Sequence, residues 1–155
     1  YGKSGGTITK ETLYSDAEHV YDWVQQQYPH HKIVLHGLSL GAHIACYIAS
    51  KKNPDYLLLE TPFRSLINAA KYQYPFVPMH LILRYNLDST AFLQHVHCPI
   101  HVFHGNKDKV VPLKEALSIL EYSDAKITVF KGSTHKNIHE FAEYKAILHN
   151  ILDKI

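Results

Sequence analysis

The residues best suited to chemistry form the run Gly37-Leu38-Ser39-Leu40-Gly41, a serine between two leucines and two glycines. The apolar stretch Ile33-Val34-Leu35-His36 precedes it, and a helical pattern begins at Leu40. A serine on such a strand-to-helix turn is thrust off the sheet edge, and the amides that open the helix face an incoming oxyanion. The Leu40 N–H is the expected oxyanion donor. Both glycines are expected because the strand and helix beside them leave no space for a Cβ. The competing reading is a glycine-rich turn with a capping serine.

A serine hydroxyl is a weak nucleophile until a base takes its proton, and the base must itself be oriented by an acid. Asp108 lies in His104-Gly105-Asn106-Lys107-Asp108, directly after an apolar strand pattern. His135 lies in Gly132-Ser133-Thr134-His135, directly after another. Both positions fall at the carboxyl ends of strands, where open α/β sheets bind their ligands. Each residue has a plainer role open to it. Asp108 would also stabilise the turn before Val110-Val111-Pro112, and Glu60, at the end of an earlier strand, is a rival acid. His135 is one of 13 histidines.

The elements that position these residues follow from periodicity. Leu13, Ala17, Val20, Tyr21, Val24 and Tyr28 recur at helical spacing behind Thr9, a helix cap, and Pro29 ends the run. From Leu40 to about Lys51, Ile44, Ala45, Ile48 and Ala49 form the inward stripe of a second helix. Tyr56–Leu59, Ile100–Phe103 and Lys126–Phe130 read as strands, joining the apolar stretch before Gly37. A helix is expected after Pro112, and another over residues 138–155 with Ile138, Phe141, Leu148, Ile151, Leu152 and Ile155 on one face. Short apolar strands alternating with helices specify an α/β fold, a three-layer sandwich around a mostly parallel sheet. Residues 62–99 break the alternation with an aromatic, proline-rich insertion.

With 155 residues, 46% of them hydrophobic and 19% charged, the chain fits one globular domain rather than two or a disordered polymer. A net charge of +2 without basic clusters gives no footprint for nucleic acid. The longest apolar stretches are interrupted too soon to span a bilayer. Cys46 and Cys98 are too few for a disulfide framework, so free thiols in a reducing, cytoplasmic compartment are expected. Tyr1 opens on what reads as a loop already under way, so residues are expected to precede it, and a signal or anchor there is left open.

Taken together, YGKSGG, GLSLGAHIA, LLLETPFRSL, CPIHVFHGNKDKVVP and GSTHKN resemble the α/β-hydrolase superfamily along essentially the whole chain. The nearest resemblance is to its serine-aminopeptidase-like and prolyl-oligopeptidase-like members. It implies that Ser39 is the nucleophile, Asp108 the acid and His135 the general base, with no cofactor. It also implies a C-terminal portion of that fold. The first strands, and the loop that gives the second oxyanion N–H, would lie upstream of Tyr1. Residues 62–99 would then form a small cap over the nucleophile.

Two other signals point to different chemistry. Gly2-Lys3-Ser4 echoes the end of a phosphate-binding loop but lacks the earlier glycine and strand. His95 with His97, His101 with His104, and His135 with His139 suggest a metal, yet strand alternation points His101 and His104 to opposite faces, and position 143 is Glu. The reading that results is a serine hydrolase acting on an ester, thioester or amide of a small molecule or short peptide through an acyl-enzyme. A non-catalytic binding scaffold or inactive fragment is the alternative.

Overall fold

A computed structural model describes residues 5–155. The phosphate-loop echo at Gly2-Lys3-Ser4 and the start of the YGKSGG motif lie outside the described residues. Thr9 caps α1 (Lys10–Gln27) with a reciprocal pair of bonds to Thr12, which holds both ends of the first turn. The elements that follow are β1 (Val34–Leu38), α2 (Leu40–Lys52), β2 (Tyr56–Glu60), α3 (Leu66–Gln73), α4 (Met79–Ile82) and α5 (Thr90–Leu93). The chain is completed by β3 (Ile100–Gly105), α6 (Leu113–Leu117), β4 (Lys126–Phe130) and α7 (Ala142–Leu152).

The four strands form one parallel sheet in the order β1-β2-β3-β4. The central strands β2 and β3 are buried almost throughout, as continuous apolar runs in a parallel sheet should be. The outer strands β1 and β4 are only partly covered. One face packs Leu57, Leu59 and Val102 against Ala42, Ala45 and Ala49 of α2, Leu93 of α5 and Ala116 of α6. The other packs Leu58, Phe103 and Phe130 against Tyr144 and Ile151 of α7. Strand alternation assigns each set to its face, and the result is the expected three-layer α/β sandwich.

Details of the helical stripes differ from expectation. α2 is buried on more than one side, through Ala42, His43, Ala45, Cys46, Ile48 and Ala49, while Ile44 is only half-buried. Val20 and Leu152 are exposed. Residues 138–140 form a separate 3-10 turn before α7. Helical spacing defines a stripe, but which neighbours cover it is decided by packing.

The segment between β2 and β3 folds back on itself rather than running as a loose insertion. Its two ends are joined where Ser65 and Asp88 form an antiparallel bridge. The Leu66 and Ser89 amides donate to the Leu87 and Arg64 carbonyls at 2.9 and 2.8 Å. Phe63, Ala69, Leu87 and Val111 form a third small core, against which Leu40 packs. The segment is thereby rooted beside the start of α2.

Candidate active site

Ser39 stands between β1 and α2 with φ 52° and ψ −111°, a backbone conformation a residue with a Cβ rarely adopts. Its amide donates to the Glu60 carbonyl at 2.9 Å, which extends the parallel pairing past the strand end. Gly37 explains the tightness of this turn. A Cβ there would lie 2.6 Å from Ala42 Cα and 2.7 Å from its nitrogen. Gly41 differs from expectation, because a Cβ at that position meets nothing within 4 Å. The steric demand of the motif falls on its first glycine. Leu40 is the first residue of α2, so its N–H is one of the amides a helix leaves without an internal partner.

Asp108 and His135 meet across two loops. Asp108 Oδ2 lies 2.7 Å from His135 Nδ1, with the Asp108 side chain fully buried and that of His135 15% exposed. An ionised carboxylate only accepts, so Nδ1 carries the proton and Nε2 keeps a free lone pair. Asp108 Oδ1 accepts from the Val110 and Val111 amides at 2.8 and 2.9 Å. The two roles open to Asp108 are thus filled at once, one oxygen holding the turn and the other the imidazole. Burial pushes the Asp108 carboxyl up, but the bonds from His135, Val111 and Val110 together hold it below its ordinary value.

The loops that carry this pair are pinned to one another. The Lys107 amide donates to the Ser133 carbonyl at 2.9 Å, and the Gly132 amide donates to Asn106 Oδ1 at 2.7 Å. Asn137 Oδ1 accepts from the Ser133 hydroxyl and from both the amide and the hydroxyl of Thr134. A Cβ on Gly105 would come within 2.9 Å of the Thr134 carbonyl, so glycine is what permits the close approach. Asn106 and Asn137 were not singled out from sequence, although both sit inside the motifs around Asp108 and His135.

Glu60 is engaged elsewhere. It is buried with His36 Nε2 at 3.2 Å and the Tyr144 hydroxyl at 3.4 Å, and it makes no bond to His135. Burial, with Glu60 alongside, pushes the Tyr144 hydroxyl up to about 12. His104 is fully buried and donates from Nε2 to the Val111 carbonyl at 2.9 Å; Asp108 Oδ2 is 3.7 Å away. Burial holds the His104 ring below its ordinary value, so it stays neutral and leaves Asp108 to His135. His101 stacks on Phe103 and bonds Thr128, on the face opposite His104, as alternation requires.

Ser39, Asp108 and His135 all follow the carboxyl ends of strands in the one parallel sheet. The structure joins Asp108 to His135; among the described residues no hydrogen bond links the Ser39 hydroxyl to the imidazole. Thr61, directly after β2, adds a second strained position, with φ 46° and a buried hydroxyl that has no partner. Backbone strain of this kind collects at functional sites. Cys46 and Cys98 are free thiols.

No family model matches the chain. It is 30% identical over 141 residues to an uncharacterized protein of Mycobacterium tuberculosis, covering 88% of this chain and 50% of that one. It is 25% identical over 188 residues to the lysophosphatidylserine lipase ABHD12 of Macaca fascicularis, covering 99% of this chain and 46% of the lipase. The chain therefore spans about half the length of the curated relatives it matches. Among solved structures, the esterase Pf2001 of Pyrococcus furiosus superposes with a TM-score of 0.78 at 19% identity, over 99% of this chain and 66% of the esterase. The acylaminoacyl peptidase of Pyrococcus horikoshii gives 0.69 at 13% identity, over 88% of this chain and 26% of the peptidase. The chain thus has the α/β-hydrolase fold.

Proposed function

We propose that the protein is a serine hydrolase that cleaves an ester, thioester or amide through an acyl-enzyme. The observation that carries this reading is the buried Asp108–His135 pair, set at the same end of the sheet as a serine held on a strained turn. In the reaction, Ser39 Oγ attacks the acyl carbonyl and His135 Nε2 takes its proton. The Leu40 N–H donates to the oxyanion, and His135 returns the proton to the leaving group. Water then attacks the acyl-enzyme by the same route in reverse order. Asp108 keeps Nδ1 protonated and stabilises the imidazolium. The contact between Nε2 and the serine closes when the acyl group is bound, as catalytic hydrogen bonds often do. No cofactor enters this scheme.

The activities of the similar proteins, lipase, esterase and peptidase, are all acyl transfers to water, which supports the same reaction class here. Residues 62–99 act as the cap, since their small core includes the contact with Leu40. The deciding experiment is covalent labelling with a fluorophosphonate, with the modified peptide identified by mass spectrometry. The expected result is a single adduct on Ser39, absent from Ser39→Ala, together with loss of about six orders of magnitude in turnover of an activated ester. An unlabelled Ser39, or turnover that survives Ser39→Ala, would move the protein to the non-catalytic scaffold reading.

A further inference from the structure

The protrusion between β2 and β3 ends in a surface that folding leaves uncovered. Phe76 is 98% exposed and Leu81 76%, and Tyr72, Tyr74 and Ile82 are exposed beside them in the chain. Five large apolar side chains within eleven residues is far from the scattered exposure ordinary on protein surfaces. The protrusion is nonetheless built rather than frayed. Its base is closed by the Ser65–Asp88 bridge and the Leu66–Leu87 bond, Ala69 and Leu87 enter the small core, and Met79 is buried behind the turn. An ordered support that presents an apolar tip implies an occupant.

Charge indicates which occupant. Residues 61–87 contain Arg64, Lys71 and Arg84 and no Asp or Glu. The net charge of that segment is therefore more positive than the +2 of the whole chain. Arg84 lies over the Tyr85 ring at 5.1 Å, a cation with an aromatic foot. At the root of the tip, Arg64, Lys71 and Lys114 converge with Asn68, Ser118 and Glu115 on an open cavity of about 370 Å³, where the Glu115 carboxylate accepts from the Arg64 and Ser65 amides. Among the described residues none of these three cations is paired with a carboxylate. Such a cavity takes a phosphate, and an apolar aromatic tip flanked by cations is the pattern of a surface that rests in a lipid headgroup layer.

We propose that residues 72–84 dock the protein on an anionic phospholipid surface. Phe76, Leu81 and Ile82 enter the acyl boundary, the tyrosines lie at the headgroups, and Lys71, Arg84 and the basic cavity take headgroup phosphates. Among the described residues no helix is long and apolar enough to cross a membrane. The placement also bears on substrate. Gln73, immediately before the tip, donates to the Val110 carbonyl at 3.3 Å and to the Lys109 carbonyl, in the loop that Asp108 opens. Docking therefore brings the rim of the site to the lipid. Resting on the hydrolase reading, the substrate class is an amphiphilic acyl ester drawn from that surface.

The test is flotation of the intact protein with phosphatidylcholine vesicles, with and without phosphatidylserine. The protein and its Ser39→Ala variant are expected to float equally with the serine-containing vesicles and weakly with the others. Phe76→Ser with Leu81→Ser, both at exposed positions, lowers the bound fraction at least tenfold at an unchanged melting temperature, because about two apolar side chains of burial are lost. Lys71→Gln with Arg84→Gln weakens binding to the anionic vesicles by about tenfold and leaves the neutral ones unaffected. Failure of the intact protein to float, or flotation indifferent to the Phe76 and Leu81 changes, overturns the proposal. So does a concentration-dependent dimer that those changes dissolve without any vesicle binding, since the occupant is then a second copy. Flotation without a fluorophosphonate adduct on Ser39 keeps the docking surface and removes only the hydrolase reading.

Discussion

The turn around Ser39 and the paired loops that carry Asp108 and His135 stand at the same end of one sheet but are fixed by different physics. Ser39 is placed by shape. Its backbone is forced to φ 52°, Gly37 lets α2 press against β1, and one amide bond to Glu60 ties the turn to the next strand. Asp108 and His135 are placed by hydrogen bonds. Three donors meet the carboxylate, and Asn106 and Asn137 pin the loops from either side. Under the proposed reaction, a nucleophile that must attack along one line gains from a rigid backbone, whereas a base that must move a proton needs a fixed tautomer and ring plane. The shape-held half should fail abruptly to an added atom, and the bond-held half should fail in proportion to the bonds removed.

The largest expected effect tests the bond-held half. Asp108→Asn keeps the volume and one acceptor but sets an amide against His135 Nδ1, so the wrong tautomer is favoured. Turnover of an ester is expected to fall by about four orders of magnitude, with the fold retained. The same variant carries a pH signature. Asp108 is held below its ordinary value of 3.8, so its contribution to stability is present above that value. It is lost as pH falls through the lower folded value. Melting temperatures across acid pH should therefore fall less steeply in Asp108→Asn. An equal slope in the two proteins would mean the bonds to Asp108 do not differ between folded and unfolded chains.

Gly37→Ala is the matching test of the shape-held half. A single methyl would sit 2.6 Å from a backbone atom of α2 that has no flexible end to swing away. A loss of about 3 kcal/mol or more in chemical denaturation is expected, with activity lost along with the turn. An Ala variant of wild-type stability would show that the turn has slack and that strain does not position Ser39.

Asn137→Ala should act more gently. It leaves the Thr134 amide without its acceptor and frees the Ser133 hydroxyl, while the Asp108–His135 bond remains. We expect a loss of about 1–2 kcal/mol and a fall in turnover of roughly tenfold, seen in kcat more than in KM. Loss of stability with unchanged kcat would assign Asn137 to the loop alone.

Much of this was legible because parallel strands announce themselves. Leu57–Leu59 is apolar without interruption and Ile100–Gly105 is broken only by His101 and His104, and Ser39, Asp108 and His135 were selected by the Gly-Leu-Ser-Leu-Gly motif, by their places after strands and by the resemblance together. What escaped was set by approach in space. Asn106 and Asn137 are ordinary turn residues until their side-chain oxygens are seen to replace backbone acceptors. The four-residue helices α4 and α5 are too short to carry a period, so the elements within residues 62–99 were not legible. Thr61 gives no sign of its positive φ, since that conformation is imposed by the sheet end and contradicts the preference of a β-branched residue. Glu60 stood as a rival to Asp108 in the sequence, and its partners, His36 and Tyr144 rather than His135, are visible only in the structure.

The smallest effect is expected at Gly41, and it sharpens the comparison within one motif. Gly41 belongs to α2, where glycine costs up to about 1 kcal/mol relative to alanine, and a Cβ there meets nothing. Gly41→Ala should thus be neutral or stabilising by up to about 1 kcal/mol, against the severe loss at Gly37, measured by the same denaturation. The position lines an apolar groove bordered by Val20 and Val24 of α1 and Leu35 of β1. If Gly41→Ala is instead as damaging as Gly37→Ala, something packs into that groove in the native protein and the second glycine serves it. A neutral result would leave the first glycine alone responsible for the shape of the turn.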